Sequence, residues 1–172
     1  ELDISYLALG SLVPFFNKNH DMGFVGTVIK DARDMCGKNM PIHVYGAGDP
    51  VELPFMAALG ANVFDSSSYA HYANQGWYMT PFGATRDSGL LASGEFRCSC
   101  EYCLKNEKPE MIFEDAVMLA CHNLWTIIQT MKKIREALRL DSLDNMIEDI
   151  LERHMIWFPD SGLSLSWAKL HE

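Results

Sequence analysis

The sequence has no long apolar run. A helix that crosses a bilayer needs roughly twenty consecutive apolar residues, and no stretch of that kind occurs among the 172 residues. The chain also lacks a basic segment followed by an apolar one at its start, and it begins with glutamate rather than methionine. We therefore expect no membrane contact, and we expect upstream residues that were removed or that belong to a longer protein.

Positive charge is scarce as well. The chain has 14 Lys and Arg against 23 Asp and Glu, which gives a formal net charge of −9 at pH 7. Proteins that bind nucleic acid by themselves are usually basic, so this composition argues against a chain that grips RNA alone. It leaves room for RNA chemistry in which a partner or another domain supplies the basic surface.

The spacing of the cysteines is more informative than their number. Five cysteines, an odd count with three of them clustered, favour a reducing, cytoplasmic compartment over a disulfide framework. Cys98, Cys100 and Cys103 can supply three thiolates from one loop, and His122 follows nineteen residues after the last of them. This is the ligand set of a closed, structural zinc site; the alternative is three unrelated thiols and a surface histidine. Four protein ligands leave no open position on the metal, so we expect the chemistry to lie elsewhere.

A long helix is predicted over residues 114–140, with His122 in its first turns. Cys121 would point about 100° away from His122 on this helix, so Cys121 and the distant Cys36 are expected to stay uncoordinated. The helix collects four cations near its C-terminal end, which form either a solvated face or a phosphate contact; these are Lys132, Lys133, Arg135 and Arg139. A further helix is expected from Asp141 or Ser142 to about residue 154, and the amphipathic tail 157–172 is left unassigned.

The first part of the chain reads as strands alternating with helices. Short connections imply parallel crossovers, and in such α/β arrangements the chemistry gathers at the C-terminal ends of the strands. Residues 69–86 are then rich in aromatic residues, and an edge strand or hairpin is predicted at 77–81. The predicted strands cover residues 4–9, 41–45 and 61–64, a loop covers 13–20, and the helices cover 21–36 and 50–59, the second with Asp49 as its N-cap and Pro50 in its first position.

Each predicted strand ends in a loop that could carry function. The loops are Gly10, Ser11 and Leu12; Gly46, Ala47 and Gly48; and Asp65 followed by Ser66. A two-glycine loop is only a weak signal for a phosphate cradle. Three parallel strands also need covering on both faces, so we expect either a small sheet with exposed edges or, as we favour, further strands from elsewhere.

Five ordered motifs and one downstream segment resemble the tRNA-guanine transglycosylases, over about residues 4–140. The motifs are Tyr-Leu-Ala-Leu-Gly-Ser-Leu (6–12), His-Val-Tyr-Gly-Ala-Gly-Asp-Pro (43–50), Phe-Asp-Ser-Ser-Ser-Tyr-Ala-His-Tyr-Ala (64–73), Cys-Ser-Cys-Glu-Tyr-Cys (98–103) and Cys-His-Asn-Leu-Trp (121–125). The third motif and the segment Tyr-Met-Thr-Pro-Phe-Gly (78–83) are closer to the archaeal, archaeosine-forming branch than to the bacterial one.

The resemblance implies a fold larger than this chain. The family fold is a TIM (β/α)8 barrel with a zinc-binding insertion, so the three strands would be the last three of eight. Residues 1–90 would hold the last barrel units and the hairpin, 91–140 the zinc-binding subdomain with its long helix, and 141–172 a C-terminal helical extension. The first half of the barrel would come from another polypeptide or a missing segment, pairing with residues 4–9 and 61–64. A homodimer is left open.

The resemblance also implies an activity. Family members exchange a base in tRNA, and the archaeal branch replaces guanine with 7-cyano-7-deazaguanine. Asp65 matches the nucleophile that attacks ribose C1′, a role for which a strand-end carboxylate is suited. Gly10, Ser11 and Leu12 match the segment that lines the base pocket. Asp49 stands where histidine is expected in many archaeal members.

The second catalytic aspartate of the family would lie outside this chain. Two alternatives to a partial enzyme therefore stay open: a non-catalytic transglycosylase-like subunit that binds tRNA or a partner, and a structural zinc module that only completes a barrel. Retention of Asp65 argues against the first, because a scaffold need not keep a nucleophile.

Overall fold

Three short parallel strands form the centre of the first half of the chain. The computed structural model describes residues 4–16, 19–94 and 96–171; residues 17 and 18 of the predicted loop lie outside this set. The strands β1 (Leu7–Leu9), β2 (Ile42–Tyr45) and β3 (Val63–Asp65) pair in that order, both pairs parallel. This confirms the predicted parallel arrangement, although β1 begins three residues later than expected.

The two faces of the sheet have different surroundings. Ile42 and Val44 of β2 are fully buried, and Val44 belongs to the main hydrophobic core. Because strand residues alternate between faces, their neighbours point the other way. The opposite side, here termed the open face, consists of Ala8, His43, Tyr45, Val63 and Asp65, which the strand register brings together.

The open face corrects one expectation from the sequence. The sequence predicts that the apolar strand residues Ile4, Tyr6, Ile42, Val44 and Val63 face inward together. In the structure Ile42 and Val44 are buried, while Val63 lies on the open face, 38% exposed. The reason is the register, which sets Val63 beside His43 rather than beside Val44. A shift of one position moves a strand residue to the other face.

Helices α1 (Gly23–Cys36) and α2 (Leu53–Ala58) connect the strands. The first matches its prediction, but α2 begins three residues later than expected, with Glu52 as its N-cap and Pro54 in its first turn. Asp49 is therefore not the N-cap of α2. Its Oδ1 atom instead accepts a hydrogen bond from the backbone N–H of Val51 at 3.1 Å, which closes the turn that precedes the helix.

The second half is mostly helical. It contains α3 (Ser68–Asn74), the antiparallel hairpin β4 (Tyr78–Thr80) and β5 (Gly83–Thr85), α4 (Ser88–Ala92), α5 (Glu101–Leu104), a 3-10 helix (Pro109–Glu114), α6 (Ala116–Arg139), α7 (Leu143–Trp157) and α8 (Leu163–His171). The hairpin, α6 and α7 confirm their predictions. Sequence reading missed α3, and it left the segment that forms α8 unassigned.

Two buried clusters hold these elements together. The larger one joins the sheet, α1 and α2 to residues of α6, α7 and α8, and the smaller one lies around the hairpin, α3 and α6. Helix α8 packs on α1 at Gly26, where a Cβ atom would come within 2.3 Å of the Leu170 side chain. Within the described residues, no helix is long and apolar enough to cross a membrane.

Candidate active site and metal centre

Asp65 is the last residue of β3 and lies on the open face. Its side chain is 61% exposed, and it sits opposite Tyr45 in the register of β2 and β3. The carboxyl ends of parallel strands are where α/β proteins place their chemistry. The structure therefore presents this carboxylate to a ligand approaching the open face.

His43 and Tyr6 form a hydrogen-bonded chain behind Asp65. His43 Nε2 lies 2.7 Å from Asp65 Oδ1, while His43 Nδ1 is hydrogen bonded to the Tyr6 hydroxyl. With the ring proton on Nε2, the imidazole donates to the carboxylate and accepts from the phenol. Desolvation raises the pKa of Tyr6, and the charges of Tyr45 and Asp65 raise it further, so the hydroxyl stays protonated as a donor. We call this arrangement the Tyr6–His43–Asp65 chain.

The segment matched to the base pocket lies beside the open face. A Cβ atom on Gly10 would lie 3.6 Å from the ring of Tyr45, and the Tyr45 ring meets His43 edge-on at 4.4 Å. Ser11 is exposed, with a positive φ of 62°. The Leu12 side chain is buried in the larger core cluster, so only its backbone is available to a ligand on this side.

The loops after β2 and β3 lock together. The Ser68 hydroxyl donates to the Gly48 carbonyl at 3.1 Å, and a Cβ atom on Gly48 would lie 2.3 Å from the Ser66 side chain. Glycine at position 48 is thus explained by the close approach of this loop. The contact fixes the backbone that follows directly after Asp65.

A buried charged network lies next to these loops, and sequence reading missed it. His20 Nδ1 lies 2.8 Å from Glu52 Oε1, and the Tyr72 hydroxyl donates to Asp49 Oδ2 at 2.9 Å. Burial raises the pKa of Glu52. Burial opposes the charge on His20, but its hydrogen bond to Glu52 raises the pKa of His20 to about 9. The sequence gives no signal for the His20–Glu52 pair, because its members are 32 residues apart and meet only in the folded structure.

Cys98, Cys100, Cys103 and His122 meet at one point. Their ligand atoms all lie within 4.8 Å of one another, and His122 Nδ1 is 3.4 to 3.5 Å from each of the three sulfurs. Tetrahedral zinc with Zn–S near 2.3 Å and Zn–N near 2.0 Å would set sulfur and nitrogen about 3.5 Å apart. The observed spacing fits such an ion.

The surrounding contacts orient these ligands. His122 Nε2 donates to the carbonyl of Met79 at 2.9 Å, which leaves Nδ1 free to bind a metal. The ring of His122 stacks on Tyr78 with centroids 3.8 Å apart. Backbone N–H groups of Cys100 and Cys103 point at the sulfurs of Cys98 and Cys100, each at 3.3 Å. Such donors stabilise thiolates, the form that binds a metal.

The protonation of the set also suits a cation. A hydrogen bond from Cys103 lowers the pKa of Cys98 to about 4, while the same bond raises the pKa of Cys103. Burial opposes charge on His122, yet its hydrogen bonds to Cys100 and Cys98 raise its pKa to about 9. Metal binding displaces such shared protons. Among the described residues, Cys36 and Cys121 do not belong to this group.

The structure thus combines two features: a parallel α/β sheet with a carboxylate at the end of one strand, and a separate Cys3His centre. A family model described as queuine tRNA-ribosyltransferase matches residues 1–156. The chain belongs to this family, the tRNA-guanine transglycosylases, and it resembles their archaeal members. This confirms the resemblance inferred from the motifs.

Two archaeal relatives illustrate the match. The tRNA-guanine(15) transglycosylase of Korarchaeum cryptofilum is 37% identical over 155 residues, which cover 87% of this chain and 25% of the relative. The protein of the same name from Methanococcus aeolicus is 30% identical over 158 residues, which cover 90% of this chain and 24% of the relative. The chain thus spans about a quarter of the length of these relatives.

Proposed function

We propose that the protein containing this chain exchanges a guanine in tRNA for 7-cyano-7-deazaguanine, in archaeosine biosynthesis, and that Asp65 is its nucleophile. The main support is the position of Asp65: an exposed carboxylate at the end of β3, with one oxygen held by His43. The names of the archaeal relatives support tRNA as the substrate. This is a glycosyl transfer at a ribose carbon.

In the first step, an oxygen of Asp65 attacks C1′ of the target nucleotide. The C1′–N9 bond breaks, its electron pair passes to N9, and the leaving guanine takes a proton from an acid outside this chain. The product is an ester between Asp65 and the ribose. Such a covalent intermediate divides one difficult substitution into two easier ones. Because Oδ1 bonds to His43, Oδ2 is the oxygen free to attack.

In the second step, N9 of the incoming deazaguanine attacks C1′ and gives its proton back to the same outside group. The bond between C1′ and Asp65 breaks, and the carboxylate is restored. The oxocarbenium-like transition states of both steps favour a negative charge close to the ribose. His43 then acts as a positioning residue that fixes the carboxylate, and Tyr6 fixes the ring of His43.

The open face is the side from which the remainder of the site would come. Tyr45 and Val63 are 44% and 38% exposed there, although purely parallel sheets are normally covered on both faces. We propose that the first half of a (β/α)8 barrel covers this face and brings the second carboxylate. The same proposal includes a division of the chain into domains at residues 90 and 140. It also includes contacts of Gly10 and Ser11 with the base.

Zinc would be held by Cys98, Cys100, Cys103 and His122, and it would stabilise the loop between the hairpin and α6. With four protein ligands the ion has no open position for substrate. Cys103 also contacts the Tyr78 hydroxyl at 3.4 Å, which ties the loop to β4. The centre therefore supports the structure next to the sheet rather than the exchange step.

The test is an exchange assay with the full-length protein, labelled guanine and a tRNA transcript. Asp65→Asn keeps the shape of the side chain and removes the nucleophile, so exchange should fall by at least a thousandfold while tRNA binding persists. Asp34→Asn, an exposed change on α1, is the matched control and should behave as wild type. Exchange by Asp65→Asn within a few-fold of wild type would reject the assignment and favour a binding subunit.

A further inference from the structure

Three cations from three separate segments converge on one cavity of about 490 Å³. Arg97 precedes the cysteine loop, Lys133 lies on α6 and Arg153 on α7. No Asp or Glu is found among the described residues that line the cavity. Three cations in a lining without a described carboxylate are unexpected in a chain of net charge −9 and point to a negatively charged ligand. We call this cavity the basic pocket.

Arg153 is held in place for binding. Its Nε atom donates to Asp149 Oδ1 at 2.8 Å, and its guanidinium lies over the Phe82 ring, 5.0 Å from the centroid. The terminal nitrogens remain available, and a guanidinium fork matches a phosphate. Within the described part of the chain, neither Arg97 nor Lys133 takes part in an ion pair. An anion in the pocket would supply a counter-charge for Arg97 and Lys133.

The uncharged residues that line the basic pocket are suited to contact a flat aromatic ring of a ligand. Phe96 and Trp125 offer partly exposed aromatic surfaces, and Phe96 is supported by Trp157 at 5.2 Å between centroids. Gln129 adds an amide that can bond to ring edges. Aromatic faces beside cations are the combination that binds single-stranded nucleic acid, by stacking of the base and pairing of the phosphate. The volume falls within the range of small-ligand sites.

We propose that the basic pocket binds one backbone phosphate of tRNA together with an adjoining unpaired base. This inference rests on the proposed function, because it takes tRNA as the substrate. The pocket shares no lining residue with the Tyr6–His43–Asp65 chain, so it is a second point of attachment. Cys98 and His122 line it too, and the metal centre therefore places Arg97.

Helix α6 supplies a matched pair of variants. Lys133 lines the pocket, whereas its neighbour Lys132 is also exposed on the same helix and does not line it. Affinity of the full-length protein for a tRNA transcript is measured by fluorescence anisotropy at several salt concentrations. Lys133→Gln should weaken binding several-fold and reduce the slope of log K against log salt by about one. Lys132→Gln should change neither, and Lys133→Arg should restore both.

The base contact is tested separately. Trp125→Leu should weaken tRNA binding without changing the salt slope, because stacking releases no counterion. Zinc content and thermal unfolding, measured on each variant, should match wild type. Equal binding by Lys133→Gln and Lys132→Gln would overturn the proposal. So would direct binding of labelled polyglutamate to wild type but not to Lys133→Gln, with tRNA binding equal in the two proteins, which would instead indicate an acidic peptide as the ligand.

The exchange assay separates this inference from the proposed function. Normal exchange with normal tRNA binding by the Lys133 and Trp125 variants would refute the pocket alone. Loss of tRNA binding by these variants in a protein that exchanges no guanine would refute the exchange alone and uphold the pocket.

Discussion

Replacing His43 with phenylalanine removes the donor that holds Asp65 Oδ1 at 2.7 Å. Hydrogen bonds to charged groups contribute about 1.5–3 kcal/mol, and the lower end applies here because the Asp65 side chain is 61% exposed and screened by water. If the bond acts at the transition state, a loss of about 1.5 kcal/mol corresponds to roughly a tenfold fall in the exchange rate.

The assay is single-turnover exchange by the full-length protein with saturating tRNA, followed by steady-state kinetics. A loss of about 1.5 kcal/mol means that His43→Phe should lower kcat about tenfold. It should leave KM for tRNA unchanged, because a positioning residue acts on the reacting carboxylate. His43→Gln can place an amide N–H near the former Nε2 and should recover most of the rate. Tyr6→Phe should have a smaller effect of the same kind, since it alters only the partner of His43 Nδ1.

Two results would refute this reasoning. One is a kcat for His43→Phe within twofold of wild type. The other is a glutamine variant as slow as the phenylalanine variant, which would show that an N–H donor beside Asp65 Oδ1 is not what sustains the rate.

The remaining predictions concern stability. One zinc per chain is expected by elemental analysis, and Cys100→Ser should lose the ion and lower the unfolding temperature, because structural zinc contributes folding free energy directly; full zinc content in this variant would contradict the ligand set. The raised pKa of His20, about 9 against 6.5, should contribute stability that is complete below pH 6.5 and lost as the pH rises through 9. The loss is about 3 kcal/mol, and the raised pKa of Glu52 acts in the same direction. Urea unfolding of the full-length protein at pH 6 and pH 9.5 measures it, with His20→Gln as the variant that should lack this pH dependence; equal dependence in both would contradict the assignment.

The cluster of Cys98, Cys100, Cys103 and His122 could be predicted from the sequence because three of its members share one short loop. A spacing of two and three residues keeps Cys98, Cys100 and Cys103 close in any compact backbone. His122 needed only a helix start at the right distance, which Asp115 provides by capping α6 through the N–H groups of Val117 and Met118. Local chain geometry is sufficient for such a site.

The parallel sheet could likewise be predicted from the sequence, since its strands alternate with helices over short connections and each ends at a polar or glycine loop. Asp65 is the last residue of β3, so its place at the C-terminal edge follows from the order of the chain. Strand lengths and the start of α2 differed, because hydrogen bonds to Asp49 and the packing of Leu53 in the core decide where the helix begins.

Tertiary structure alone decided which side chains meet beside Asp65 and in the basic pocket. His43 reaches Asp65 across 22 residues and Tyr6 across 37, and only the pairing of β1, β2 and β3 brings these three groups together. Arg97, Lys133 and Arg153 converge because α6 and α7 pack beside the cysteine loop. The pattern of apolar residues predicts which residues are buried. Contacts between distant, exposed polar groups depend instead on strand register and helix packing, which no local pattern encodes.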